Sequence, residues 1–554
     1  MASAFRRKIL IALLVLAGAV YFVSLGNSAI WDANEAFYVE TPREMIEARD
    51  FLNPTFNYEP RFNKPVLSYW IVAAGYQAFG VSVTVQRFAI AIGALVIIAC
   101  AFFLASASEP ASPTPRRGEG GPRHAGLWAA AGLAAAPRLV MFARRIFIDI
   151  WITAFMSLTL VFFALSERYP ERRRLFLVLM YVSIALGVLT KGPVAIALPA
   201  LAFGLYFAVR RELSRIAGMM IPLGIVILAV IVVPWYAALY HEHGWTYIKS
   251  FLVNENVERF TSGVGVGQDR KAYWYLPIVF SDSFPWSLLL PCAAAAAWKT
   301  RTRLETLLWC WIVAIVGFFS LSAGKQDLYI FPIVPAVAAL GGITISRALS
   351  DERWQRWVSV TLAIAGAVLA IAGGTVLFLF QAAGRVYALE SALAVGAVGL
   401  AGGLIALVLG ALKRPWASAL SLLAAVVAVN WTFVIGVLPE FERYKPVPEF
   451  SRVLQERLQP GDLVAHYRVS LPSMVYYLRR HVKQMTDDRE FVDAVLSSEH
   501  VYAVLSAGDY GALAPQIGAR TCIVDRRPTF EVKLRQVLAR KPLPELLLIS
   551  NRCP

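Results

Sequence analysis

The chain has 554 residues, 58% of them hydrophobic and 16% charged, with a mean hydropathy of +0.58, more apolar surface than one soluble core can bury. This excludes a soluble globular enzyme and implies an integral membrane protein. The net charge of +16 would suit a nucleic-acid binder if it were pooled, but it is spread over the loops between apolar runs, where it reads as membrane topology.

A membrane span needs about 20 mostly apolar residues, and thirteen candidate runs lie near 8–25, 82–105, 126–142, 147–166, 174–190, 193–209, 217–240, 274–298, 304–322, 327–347, 357–380, 390–411 and 416–438. Arg6, Arg7 and Lys8 precede the first run as in a signal peptide, but no small-x-small cleavage site follows, so it reads as a retained helix. Next comes Ile30 to Trp70, with seven Asp or Glu, for which a solvated loop is the plain alternative. Glu35 to Arg49 is expected to form an amphipathic helix lying in the interface, with Phe37, Val39, Met45 and Ile46 as apolar surface. Asn53-Pro54 and Glu59-Pro60 break it, and Lys64-Pro65 leads into the short apolar piece Val66 to Phe79, read as interfacial or re-entrant. Ser108 to His124 is a Pro- and Gly-rich linker.

With the N-terminus inside, the inner loops carry Arg6/Arg7/Lys8, Arg116/Arg117/Arg123, Arg168/Arg172/Arg173/Arg174, Arg210/Arg211/Arg215, Lys299/Arg301/Arg303, Arg347/Arg353/Arg356 and Lys413/Arg414, as the positive-inside rule requires. The outer side then holds the loops 26–81 and 241–273 and the C-terminal segment, which is the periplasm in a Gram-negative cell. A transmembrane domain over 1–439 is followed by a small soluble domain over 440–554, where GDLVAHY, HVYAVLS and RTCIVD alternate as strands with helix-like SMVYYLRRH and EFVDAVLSS. Cys100, Cys292 and Cys310 sit in apolar runs as packing residues; Cys522 and Cys553 share the outer segment, which leaves a disulfide open.

Asp32, Glu35, Lys64, Arg144, Arg145, Asp149, Lys191, Glu255, Arg259, Lys325 and Asp327 all map to the outer side. Snorkelling explains any one of them, but hardly a set from six loops. Cations outnumber carboxylates in the set, which suits a lipid phosphate held at headgroup depth. A carboxylate beside it would take the proton of an acceptor hydroxyl.

E-x-x-Y-x-E-x-x-R-E-M at Glu35 to Met45, Lys64-Pro65, Asp149, LTKGP around Lys191, ENVERF at 255–260, YWYLPIVFSDSFPW at 273–286 and SAGKQDLYIFPIVPA at 322–336 together resemble a known family. It is that of the polytopic lipid-dependent glycosyltransferases of the GT-C fold, in particular the bacterial 4-amino-4-deoxy-L-arabinose transferases that modify lipid A and, more distantly, the protein O-mannosyltransferases. The resemblance covers about residues 30–340. It implies an all-α polytopic membrane domain at the bacterial inner membrane and inverting transfer of a sugar from a polyprenyl-phosphate donor, such as undecaprenyl phosphate, on the periplasmic side. The acceptor would be a lipid, glycan or protein, and no nucleotide sugar or nucleic acid would take part.

By the same resemblance Lys64, Arg259, Lys325 and Tyr329 hold the lipid phosphate, and an Asp of the first outer loop is the base, helped by one at the start of the fourth span. The chain departs here: the loop Asp of the relatives falls on Asn34, a neutral amide. The base is then expected among Asp149, Asp32 and Glu35, with the first two ahead. The Arg after the acidic pair is Phe37, and a metal-binding Glu and His are replaced by Asn63 and Asn256. No zinc or other cofactor is therefore expected, and His241 and His243 alone do not make a site. A transporter would need charges near the midplane and repeat-related helices; a noncatalytic polyprenyl-phosphate-binding homologue is the other alternative, which Asn34 keeps open.

Overall fold

The computed structural model describes all residues except 1, 33, 110–123, 263–269, 388, 531–540 and 554, and the side chains at 2–6, 259 and 382–386 are also outside it. The linker expected over 108–124 therefore lies almost wholly outside the described residues. Nine described helices are long and apolar enough to cross a membrane: Val83–Ser106, Phe147–Arg168, Pro170–Lys191, Ile221–His243, Arg303–Leu321, Asp327–Ala348, Glu352–Gln381, Ser391–Ala411 and Pro415–Tyr444. A tenth is the pair Ala272–Asp282 and Trp286–Thr300, if its 113° bend is counted within one span.

The remaining three of the thirteen expected spans are helical but fall short. The 126–142 run splits at Ala136-Pro137 into Ala125–Ala135 and Pro137–Phe142, since proline gives up a ladder hydrogen bond and crowds the preceding turn. The 193–209 run is one helix of 17 residues, Val194–Arg210. Ala2–Ala19 is 18 residues long and spends three of them on Arg6, Arg7 and Lys8.

The bundle centre is the Ala125–Ala135 helix, with every residue from Ala125 to Ala135 except Leu127 buried. Its small side chains let neighbours approach backbone to backbone. A Cβ on Gly342 would meet the Ala125 carbonyl at 2.5 Å, and one on Gly132 would collide with the indole of Trp286, whose Nε1 donates to the Trp128 carbonyl at 2.6 Å.

The loop after the first helix, expected on the outer side, forms Glu35–Ala48, the hairpin β1 (Thr55–Phe56) with β2 (Glu59–Pro60), and Leu67–Phe79. The Glu35–Ala48 helix does not lie open in an interface as expected. It is covered on both sides, burying Glu35, Glu40, Arg43 and Glu44 as well as Tyr38, Val39 and Met45, because the soluble domain packs on its other face. That domain, from Pro446 on, is a five-stranded sheet of order β4-β3-β5-β7-β6, with β3 Leu463–Tyr467, β4 Lys483–Met485, β5 Val501–Ser506, β6 Cys522–Pro528 and β7 Glu545–Ser550. β3 pairs parallel with β4 and β5, and β7 runs antiparallel between β5 and β6. The helices Ser473–Leu478 and Asp488–Leu496 stand where SMVYYLRRH and EFVDAVLSS predict them. Cys522 and Cys553 are both thiols.

Candidate active site

Phe147–Arg168 begins with Asp149 in its first turn, and its antiparallel neighbour Arg173–Lys191 ends beside it with Lys191 in its last turn. Each charge complements the dipole of its own helix end, and the two side chains meet as an ion pair. Asp149 is 6% exposed. The opposite ends of these helices are tied by Glu167, which binds Arg173 and Arg215.

Around this pair lies a cavity of about 740 Å³. The first outer loop contributes Asn34, Phe37, Tyr38, Arg61 and Lys64; Ile146, Phe147, Ile148, Ile152, Val194, Leu198, Phe318 and Phe319 form an apolar wall, and Phe251, Glu255 and Asn256 close one side. Glu255 sits in a π-helical stretch, Lys249–Glu258, a local widening that often marks functional sites. It receives Lys64 Nζ at 2.6 Å, while the Lys64 carbonyl accepts from Tyr247 Oη at 2.8 Å, which fixes the backbone that carries the lysine. Tyr38 is stacked between Tyr69 and Phe147, with ring centres 5.6 and 5.7 Å away.

Arg61, Lys64 and Lys191 face the cavity against Asp149 and Glu255, so among the described side chains its wall carries one net positive charge. Each lysine is held by a carboxylate. Arg61 instead lies 3.8 Å over the ring of Phe37 and donates to Tyr69 Oη at 3.2 Å, contacts that leave part of its fork for an anion. Tyr329 lines the cavity with Lys191 Nζ 5.4 Å from its ring centre.

Of the residues expected from sequence, Lys64, Asp149, Tyr329 and Asn34 come together on this wall. Three do not. Lys325 is buried off this wall, with its Nζ donating to the Ser322 carbonyl in its own turn. Glu35 is fully buried and accepts from Arg87 Nε at 2.6 Å and Nη2 at 2.9 Å, while the same guanidinium binds the carbonyls of Leu25, Ser28 and Ala29. A carboxylate so enclosed has no route to an acceptor hydroxyl, which corrects its place among the candidate bases. Asp32 turns the other way and accepts the Ser473 N–H of the soluble domain at 2.8 Å. Burial pushes its carboxyl up to about 6. Arg259 opens the short helix Arg259–Thr261, but its side chain lies outside the described residues.

Arg61 was missed as a site residue, although it lies only three positions before Lys64 in EPRFNKP; that proximity was the available clue. Asn256 lines the cavity with its amide donating to the Phe251 carbonyl at 2.7 Å. His243 meets the Asn53 side chain at 2.7 Å. Among the described residues no three His, Cys, Asp or Glu side chains are grouped as metal ligands.

Residues 8–248 match the model of the dolichyl-phosphate-mannose-protein mannosyltransferase family. The chain is 28% identical over 372 residues to undecaprenyl phosphate-alpha-4-amino-4-deoxy-L-arabinose arabinosyl transferase 1 of Pseudomonas fluorescens, covering 66% of this chain and 62% of that one. It is 30% identical over 349 residues to the corresponding Pseudomonas aeruginosa protein, covering 62% and 61%. The match thus spans about three fifths of these relatives' length. The crystal structure of ArnT from Cupriavidus metallidurans bound to undecaprenyl phosphate superposes with a TM-score of 0.78 at 23% identity over 98% of both chains. The chain has the GT-C glycosyltransferase fold and, among proteins of that fold, resembles the undecaprenyl-phosphate aminoarabinose transferases.

Proposed function

We propose that the protein is an integral-membrane glycosyltransferase that moves a sugar from a polyprenyl-phosphate donor to a lipid, glycan or protein acceptor on the periplasmic side of the bacterial inner membrane. The observation that carries this reading is one cavity in which an apolar wall meets Arg61, Lys64 and Lys191 beside the carboxylate of Asp149. An anionic lipid headgroup is the ligand that matches both halves of that surface. The relatives named as undecaprenyl-phosphate transferases support the donor class.

In the proposed reaction the acceptor hydroxyl oxygen attacks the anomeric carbon as its bond to the phosphate oxygen breaks. The hydroxyl proton passes to Asp149, and the electron pair of the broken bond stays on the phosphate. Arg61, Lys64 and Lys191, with Tyr329 and by resemblance Arg259, meet that charge, and such preorganised donors act where charge develops. Phosphate binding draws Lys64 and Lys191 from Glu255 and Asp149, which frees Asp149 as the base. Nothing in the reading needs a metal: Asn63 and Asn256 are amides, poor replacements for a carboxylate and an imidazole ligand.

The test is transfer by the reconstituted protein from a labelled undecaprenyl-phosphate sugar to candidate acceptors, against Lys64→Ala and Asp149→Asn. Undiminished transfer in both variants overturns the site. The noncatalytic reading is favoured by one observation, the amide of Asn34 facing the cavity. Transfer by the wild type to any acceptor removes that reading, and a rate raised in Asn34→Asp shows that position 34 faces the chemistry.

A further inference from the structure

At the end of the bundle opposite the cavity, a second recess of about 410 Å³ opens between the helices Glu352–Tyr387 and Ser391–Ala411. The ends are assigned by the helices themselves: Phe147–Arg168 runs from Asp149 at the cavity to Glu167, Glu167 meets Arg303, and Lys299, close to Arg303 in the chain, lies 5.6 Å from the ring of Trp354 at the head of the Glu352 helix. The two helices cross so closely that a Cβ on Gly410 would come within 2.8 Å of the Ser359 carbonyl and the Ala363 nitrogen. Beside that crossing the recess is floored by Val360, Ala363, Ile364 and Leu407, and Arg356 and Lys413 stand at its mouth.

Three features make this more than a gap between helices. Arg356, on the second turn of one helix, and Lys413, just past the end of the other, line one recess, with the Gln355 amide donating to the Lys413 carbonyl at 3.4 Å beside them. Among the described residues neither has a carboxylate partner. Glu352, one turn before Arg356, is exposed, and Asp351 uses an oxygen on the Arg353 N–H. Ser359 is 1% exposed, lines the recess, and its hydroxyl has no hydrogen-bond partner. A buried hydroxyl without a partner is destabilising, and an acceptor entering the recess removes that cost.

We infer that this recess is a binding site for an anionic glycerophospholipid, distinct from the catalytic cavity. The headgroup phosphate sits between Arg356 and Lys413 with an oxygen in reach of the Ser359 hydroxyl, and an acyl chain lies along Val360, Ala363 and Ile364. Basic recesses between transmembrane helices at the inner leaflet take such headgroups, each cation near the surface adding to the attraction. The exposed rings and chains of Trp357 and Leu412 flank the mouth at headgroup depth, where aromatic side chains settle. Two cations and no acid select a net-negative lipid over a zwitterionic one.

The test uses the full-length protein in a neutral detergent, incubated with phosphatidylglycerol or phosphatidylcholine and read by native mass spectrometry. The wild type retains phosphatidylglycerol about tenfold better than phosphatidylcholine. Arg356→Ala/Lys413→Ala removes that preference, and Ala363→Phe, which fills the floor and keeps both cations, lowers retention of both lipids. Equal retention of the two lipids by wild type, or an unchanged preference in the double variant, overturns the site. Displacement of phosphatidylglycerol by equimolar inorganic phosphate would show an anion site without a lipid seat, and displacement by equimolar undecaprenyl phosphate but not by cardiolipin would make it a second carrier-lipid site; either result also overturns the inference.

Discussion

The first outer loop supplies charges to two regions that use them in opposite ways. Away from the cavity, Glu35 is enclosed by Arg87 of the Val83–Ser106 helix in a two-pronged contact at 1% and 0% side-chain exposure, and Asp32 accepts the Ser473 N–H of the soluble domain. Toward the cavity, Lys64 meets Glu255 with 17% and 13% of their side chains exposed, and Arg61 rests on an aromatic ring. The enclosed contacts hold the loop to the bundle and to the soluble domain; the cavity pairs line a space that a phosphate can enter. Charge pairing alone therefore does not mark a site. What separates the two regions is whether a ligand can reach the pair.

That contrast is open to attack from both sides. Asp149→Asn removes the proposed base and should lower transfer by about a thousandfold, roughly 4 kcal/mol of barrier, while the thermal midpoint stays within a few degrees; a large stability loss with little loss of rate would place Asp149 with the structural pairs. Arg87→Met leaves Glu35 buried without its partner and should cost about 3–5 kcal/mol of stability, read by thermal unfolding in detergent. Adding Glu35→Gln should recover part of that, and if the single variant is as stable as wild type, the pair does not anchor the loop. Arg61→Ala should raise the donor KM about tenfold with a smaller change in kcat, the loss of a charge-assisted contact, and Arg61→Lys should recover only part because the fork is gone.

The smallest effect belongs to Asp32. Its carboxyl stands at about 6 against an ordinary value near 3.8, so the folded state binds the proton more tightly than the unfolded one. Stability from this group is full below about pH 4 and lost as pH rises through 6. Asp32→Asn keeps an oxygen for the Ser473 N–H and removes the titration, so it should flatten the stability profile over that window and stabilise the protein at pH 8 by about 1 kcal/mol after allowance for solvent screening. An unchanged profile would mean that another group sets it.

The apolar runs and the alternation in the last hundred residues were readable because both are local patterns. Span count was less so: Pro137 splits one run, and the first helix ends at Ala19, short of the run expected over 8–25. That Lys64 and Asp149 share one end of the bundle was legible, because each charge sits beside an apolar run. Lys325 has the same local setting, and only its turn onto the Ser322 carbonyl separates it from them. The roles of Glu35 and Asp32 depend on Arg87 and Ser473, 52 and 441 residues further along the chain, contacts that no local pattern carries. Arg61 faces the cavity because the β1–β2 hairpin and Phe37 place it there, and neither shows in composition.

The measurement that bears most directly on the central claim is transfer from labelled undecaprenyl-phosphate sugar by wild type, Lys64→Ala, Arg61→Ala and Asp149→Asn, in parallel with binding of undecaprenyl phosphate to each. The account predicts transfer by wild type, weakened binding in the Lys64 and Arg61 variants, and retained binding without transfer in Asp149→Asn. Tight binding that survives loss of both cations, or full transfer without Asp149, would contradict it.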